Sequence, residues 1–217
     1  MKENREAKYY EKVMDSTLIV QEYIFYSEME GKLDYDDPWM ALYNGLSELR
    51  GKLHEEKEFS EMLIISNNQN YKFTSKRIFL VQDFIKGQLG PLIGALSAMK
   101  WVELNNKNYK WIATFPCDTP FFDIKIIEYL KIKSFETKKK LVFLKSAKIR
   151  HNIFGLWSLD LKDILENDIK NNIRKVEIWA DKIGSDIINI EKGKFDSFLN
   201  INTKNDLEIA KKNLSYL

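Results

Sequence analysis

An aspartate held between two prolines is the first place in this sequence where chemistry could reside. Asp118 lies in Pro116-Cys117-Asp118-Thr119-Pro120, directly after the apolar run Trp111 to Phe115. The prolines stiffen the loop by fixing φ. A carboxylate presented there can hold Mg²⁺, which takes one or two protein carboxylates and completes its shell with phosphate oxygens. The same position suits the N-cap of a helix after Pro120, and both readings stay open. Asp83 follows a second apolar run, Ile78 to Val81, and has the same two readings. Beyond it, Gly87-Gln88-Leu89-Gly90-Pro91-Leu92-Ile93-Gly94 supplies glycines that let a backbone approach a ligand. A helix starting at Pro91 would aim its positive end at that place. The segment has neither the G-x-G-x-x-G nor the G-x-x-x-x-G-K-[ST] spacing.

Other chemistries are excluded by composition. One cysteine, Cys117, rules out an internal disulfide framework and any multi-cysteine metal site. Two histidines, His54 and His151, argue against a histidine-rich zinc site. No apolar run approaches the ~20 residues of a membrane helix, and Met1 to Asp15 is charged with no apolar secretory segment. The expectation is a cytoplasmic protein that engages neither membrane nor nucleic acid.

The elements that position these residues read as strands alternating with helices. Met62 to Ile65, Ile78 to Val81, Trp111 to Phe115, Leu141 to Leu144 and Ile153 to Trp157 are continuous apolar runs, as expected of strands buried on both faces. Pro91 to Leu104 and Phe121 to Phe135 carry apolar residues at helical spacing. Thr203 with Asp206 forms a capping pattern before a final helix. Leu18 to Tyr26 reads as an opening strand. The alternation predicts an α/β layer fold with a mainly parallel sheet, in which ligands sit outside the carboxyl ends of the strands. With 217 residues, the chain suits one domain. The expected division is an N-terminal extension, 1–17, and a single domain, 18–217.

The near-neutral net charge of +2 conceals an uneven distribution. Residues 1–62 hold 15 acidic and 8 basic side chains, and residues 63–217 hold 17 acidic and 26 basic. Such asymmetry marks either two differently solvated faces or a surface for a polyanion.

Taken together, Asp83, Gly90 to Leu96, Pro116 to Pro120, His151 to Trp157 and Phe198 to Thr203 resemble one family in order and spacing. That family is the molybdenum cofactor guanylyltransferases, the MobA-like nucleotidyltransferases. The resemblance covers roughly residues 60–213 and is strongest at Pro-Cys-Asp-Thr-Pro and Asn-Ile-Asn-Thr. It implies a Rossmann-like three-layer α/β sandwich of the nucleotide-diphospho-sugar-transferase type, transferring GMP from GTP to molybdopterin with Mg²⁺. Asp118 would bind the metal, Asp83 would sit beside the guanosine, and Asn68 and Gly90 would lie in segments that contact nucleotide. Asn200 and Asn202 would lie towards the molybdopterin, although a turn and helix start explains them equally well. His151 matches the family's histidine, followed by Asn152 where a proline is common. Molybdoenzymes or other cofactor-biosynthesis proteins are the implied protein partners.

The first third departs from the pattern. The family's Leu-Ala-Gly-Gly loop, which exposes backbone N–H groups to the triphosphate, should fall at about residues 24–38. Glu28 and Met29 stand at the glycine pair, Leu33 at the arginine and Pro38 at the lysine. Five carboxylates there face Lys32 alone, a sign that opposes phosphate binding. An alternative therefore stands beside the enzyme: a catalytically impaired homologue acting as a binding or assembly protein. A replaced or frame-shifted segment over the first ~60 residues would account for the same departure.

Overall fold

The computed structural model describes residues 17–22, 61–67, 78–86, 90–116, 118–119, 121–123, 125–191 and 196–214. Among these residues seven strands form one sheet: β1 Thr17–Glu22, β2 Met62–Ile65, β3 Ile78–Val81, β4 Trp111–Pro116, β5 Leu141–Ser146, β6 Ile149–Ser158 and β7 Asp186–Ile190. The helices are α1 Pro91–Leu104, α2 Lys125–Glu136, α3 Lys162–Lys170, α4 Val176–Ile183 and α5 Lys204–Leu214. Strand order is β3-β2-β1-β4-β6-β5-β7. Every neighbouring pair is parallel except those made by β6, which runs antiparallel to both β4 and β5.

Continuous apolar sequence and burial go together in the central strands. Leu63 and Ile64 of β2, Ile112 and Phe115 of β4, and Leu141 to Leu144 of β5 have no exposed surface. β3 lies at the edge of the sheet, so its equally apolar residues are only half-buried. On one face of the sheet, α1, α3 and α4 pack Leu92, Leu96, Met99, Leu165, Ile169 and Trp179 against Phe143 and Trp157. On the other face, α2 packs Ile126, Ile127 and Leu130 against Phe115, Phe154 and Phe198. Each fully buried Leu or Ile contributes about 1.5–3 kcal/mol of hydrophobic free energy. Together the two clusters hold the sheet between helical layers.

One close approach sets the β5–β6 pairing. A Cβ added at Gly155 would lie 2.2 Å from the Val142 carbonyl oxygen and 2.7 Å from Cδ1 of Phe143. Only glycine lets the two backbones meet there. Trp157 then stacks on Trp179 at 5.6 Å and donates its indole N–H to Thr114 at 2.8 Å, so its polar end is satisfied in the core.

The topology locates the ligand crevice. The chain builds β1, β2 and β3 outward in one direction, then α1 returns it to the opposite side of β1 as β4. Reversal of strand order beside β1 opens a crevice at the carboxyl ends, the usual ligand site in such sheets. The residues following β2, β3 and β4 are Ser66-Asn67, Gln82-Asp83 and the Asp118 loop, and all three emerge on that edge.

Candidate active site at the carboxyl edge of the sheet

Asp118 lies two residues past the end of β4, half-buried. Burial raises its pKa above the ordinary carboxylate value, while hydrogen bonds from Thr119, the backbone and the Asn202 side chain act in the opposite sense. Its backbone is fixed as well, because its carbonyl oxygen accepts the Ile201 N–H at 2.8 Å. Thr119, 1% exposed, places Oγ1 2.6 Å from Asn200 Oδ1 and 3.2 Å from Asp118 Oδ1. The loop after β4 and the segment before α5 therefore form one body. Asp118, Asn200 and Asn202, far apart in sequence, meet at its surface.

The helix-cap reading of Asp118 is not what the backbone does. α2 starts at Lys125, later than the periodicity from Phe121 suggests, and Asp123 takes the capping role by accepting the Lys125 N–H at 2.9 Å. Asp118 is left for another use. Asn202, in contrast, does both things the sequence allows. Its side chain bonds to Asp118 while its N–H donates to Asp206, whose carboxylate also accepts from Thr203 in a reciprocal cap.

A second group stands at the ends of β2 and β3. Asn67 donates from Nδ2 to Asp83 Oδ2 at 2.8 Å and accepts the Asp83 N–H on Oδ1 at 3.3 Å. The parallel register explains the pairing. Ile65 is paired with Val81, and Asn67 and Asp83 each lie two residues beyond. Neither residue caps α1, whose N-cap is Gly90 with φ of +83°, a conformation glycine adopts without strain. Pro91 occupies the first turn as expected. The loop behind Asp83 is tied to α1 by Ser97, which accepts the Phe84 N–H and donates to the Ile93 carbonyl, both at 2.8 Å.

His151 supports the Asn200 segment from below. Its ring stacks on Phe198 at 3.9 Å and 15°, and Nε2 lies 2.7 Å from Ser146 Oγ. Burial pushes its pKa down, and the nearby Asp196 carboxylate partly offsets that.

Of the residues singled out from sequence, Asp118, Asn200 and Asn202 are brought into one network, while Asp83 and Gly90 stand at the ends of neighbouring elements on the same edge. Asn68 lies outside the described residues, as do Glu28, Met29, Leu33 and Pro38. Two participants were not foreseen. Thr119 was visible only as a hydroxyl between Asp118 and Pro120. Asn67 was detectable from equal offsets, since each of Asn67 and Asp83 follows its apolar run by two residues.

A sheet of this order, with β6 alone reversed and polar groups gathered where the order turns back, defines a Rossmann-like fold of the nucleotide-diphospho-sugar-transferase type. The fold is shared with molybdopterin-guanine dinucleotide biosynthesis protein A from Archaeoglobus fulgidus, at TM-score 0.65 and 18% identity over 93% of this chain and 100% of that one. It is shared too with the 2-C-methyl-D-erythritol 4-phosphate cytidylyltransferase of Francisella tularensis, at TM-score 0.62 and 15% identity over 91% and 99%. In sequence, the molybdenum cofactor guanylyltransferase of Rhizobium rhizogenes is 33% identical over 144 residues, 64% of this chain and 66% of that protein. The chain thus spans about two thirds of that relative's length. The chain belongs to the MobA-like NTP transferase domain family, whose pattern matches residues 51–180, more than half of its length.

Proposed function

We propose that this protein is a nucleotidyltransferase that transfers GMP from GTP to molybdopterin and releases pyrophosphate, with Mg²⁺ held at Asp118. The observation that carries the reading is the network of Asp118, Thr119, Asn200 and Asn202 at the end of β4, beside the point where strand order reverses.

The residues fit a magnesium ion of the kind phosphate chemistry uses. Asp118 is a half-buried carboxylate made costly to ionise by burial, and a cation would relieve that cost. Among the described residues, no group of three or more His, Cys, Asp or Glu could cage a metal ion. That suits an ion bound by one carboxylate and completed by phosphate oxygens and water. When bound, Mg²⁺ supplies electrostatic stabilisation of the charge that builds on the phosphoryl oxygens.

The remaining work falls to the chain's own side chains. Asp83, held by Asn67, accepts hydrogen bonds from the N1–H and the exocyclic amine of guanine, donors that cytosine and adenine do not present as an adjacent pair. Asn200 and Asn202 orient the acceptor. A phosphate oxygen of the acceptor attacks the α-phosphorus of GTP. The new P–O bond forms as the bond to the β-bridging oxygen breaks, and that electron pair leaves with pyrophosphate. The nucleophile is already anionic, so no general base is needed. The reading places the protein in the cytoplasm, where nucleoside triphosphates are abundant.

Pyrophosphate release from GTP, CTP, ATP and UTP, each with Mg²⁺ and with or without molybdopterin, tests this. Release that needs both GTP and molybdopterin is expected. Release from CTP instead, or none with any nucleotide, would overturn it.

A further inference from the structure

We propose that Thr119 is a positioning residue: its hydroxyl fixes the orientation of the Asn200 amide, so that Asn200 presents N–H donors to the oxygens of a phosphate monoester on the acceptor. The inference rests on the acceptor reading above and deepens it by naming what sets the acceptor's recognition.

The distances decide where the single hydroxyl proton goes. Thr119 Oγ1 is 2.6 Å from Asn200 Oδ1 and 3.2 Å from Asp118 Oδ1. A hydroxyl has one proton to donate. O–H···O bonds cluster at about 2.7–2.8 Å and N–H···O bonds at about 2.9–3.0 Å. The 2.6 Å contact is therefore an oxygen–oxygen bond, and the proton lies towards Asn200. Asp118 lies at the longer of the two distances from that hydroxyl and draws also on the backbone and the Asn202 side chain.

The environment keeps this arrangement. Thr119 is 1% exposed, so an alternative partner from solvent is not at hand. The loop carrying it is locked to the Asn200 segment by the Ile201 N–H on the Asp118 carbonyl at 2.8 Å. His151 holds the same segment through its stack on Phe198 at 3.9 Å. With Oδ1 committed to Thr119, the NH₂ branch of the planar Asn200 amide projects the other way, and Asn200 is exposed. Two N–H donors are thereby offered at the edge of the site. Phosphate oxygens accept such bonds strongly because they are charged. A flipped amide would turn its carbonyl oxygen towards the same phosphate and repel it. Thr119 thus selects an anionic, oxygen-rich acceptor without touching it.

Steady-state kinetics of GMP transfer on the full chain, with GTP and molybdopterin varied separately, test the assignment in wild type, T119V, T119S and N200D. T119V keeps the shape and loses the hydroxyl. It should raise the molybdopterin KM about tenfold or more while the GTP KM stays within about twofold. T119S should restore the wild-type value. N200D keeps the oxygen facing Thr119, replaces the donors with a second carboxylate oxygen, and sits at an exposed position where folding is not at risk. It should raise the molybdopterin KM at least as much and covers the case in which T119V fails to fold. An unchanged molybdopterin KM in a folded T119V or in N200D would overturn the assignment. A loss in T119V that T119S does not restore would also overturn it, as the mark of a packing role only. No transfer by wild type would overturn the acceptor reading and this assignment with it. A working wild type with unaltered variants overturns this assignment alone.

Discussion

The N–H of Ile201 donates to the carbonyl oxygen of Asp118 at 2.8 Å, tying the loop after β4 to the segment that leads into α5. That backbone bond, with the Thr119–Asn200 contact, makes the end of the chain part of the site rather than a covering layer. Asp118 meets residues from far along the sequence, and any change to the loop is felt at Asn200 and Asn202.

Asp118→Asn should remove Mg²⁺-dependent transfer and leave the fold nearly intact. The amide keeps the shape but loses the charge proposed to hold the ion, a stabilisation of several kcal/mol, so kcat/KM for GTP should fall at least about 10³-fold. Burial already disfavours the ionised form, so the melting temperature should change little. Unaltered turnover would take the metal role away from Asp118.

Asn67→Ala removes both hydrogen bonds that hold Asp83. Each such bond contributes about 0.5–1.5 kcal/mol, so the GTP KM should rise at least about fivefold while kcat stays near its wild-type value. Initial rates at varied GTP check this. A fall in kcat with unchanged KM would show that Asp83 acts elsewhere than at the base.

Gly155→Ala should be costly through folding alone. Its Cβ would meet the backbone oxygen of Val142 at 2.2 Å, and neither paired strand can move without disturbing the sheet. A loss of about 3 kcal/mol or more is expected, read as a lower urea midpoint. A wild-type midpoint would mean that β5 and β6 are less tightly paired.

Glu166 carries a pH dependence. Hydrogen bonds from Lys100 at 2.6 Å and Lys170 at 2.9 Å lower its pKa from the ordinary 4.5 to about 2. A depressed carboxylate contributes stability that is full above its unfolded value and is lost as pH falls through the folded one. Glu166→Gln should therefore melt below wild type at pH 7, and the gap should close between pH 4.5 and pH 2. A gap independent of pH would assign the effect to packing.

Much of this fold was legible because its core strands are short and uniformly apolar. Met62 to Ile65 and Ile78 to Val81 have the bounds expected, and α1 begins at Pro91 and ends at Leu104 as its periodicity predicts. β7, Asp186–Ile190, was not read, since it is polar at both Asp186 and Asn189 and only half-buried on the edge of the sheet. α3 and α4 were missed too, because helices of nine and eight residues show few turns of periodicity. The reversal of β6 leaves no mark in composition; it follows from the tight turn at Ala147 and Lys148. In the site, Asp118, Asn200 and Asn202 stood out as motif residues. Thr119, inside the Pro116 to Pro120 motif, and Asn67, outside it, suggested no role, because each bonds a side chain that only the folded chain brings within reach.

The most direct test of the account follows isotope through the reaction. GTP labelled with ³²P at the α-phosphate, and separately at the γ-phosphate, is incubated with the protein, Mg²⁺ and molybdopterin. The α-label should pass into the acceptor as a guanine dinucleotide and the γ-label should leave as pyrophosphate. A γ-label released as inorganic phosphate, or an α-label that stays in GTP, GDP or free GMP, would contradict it.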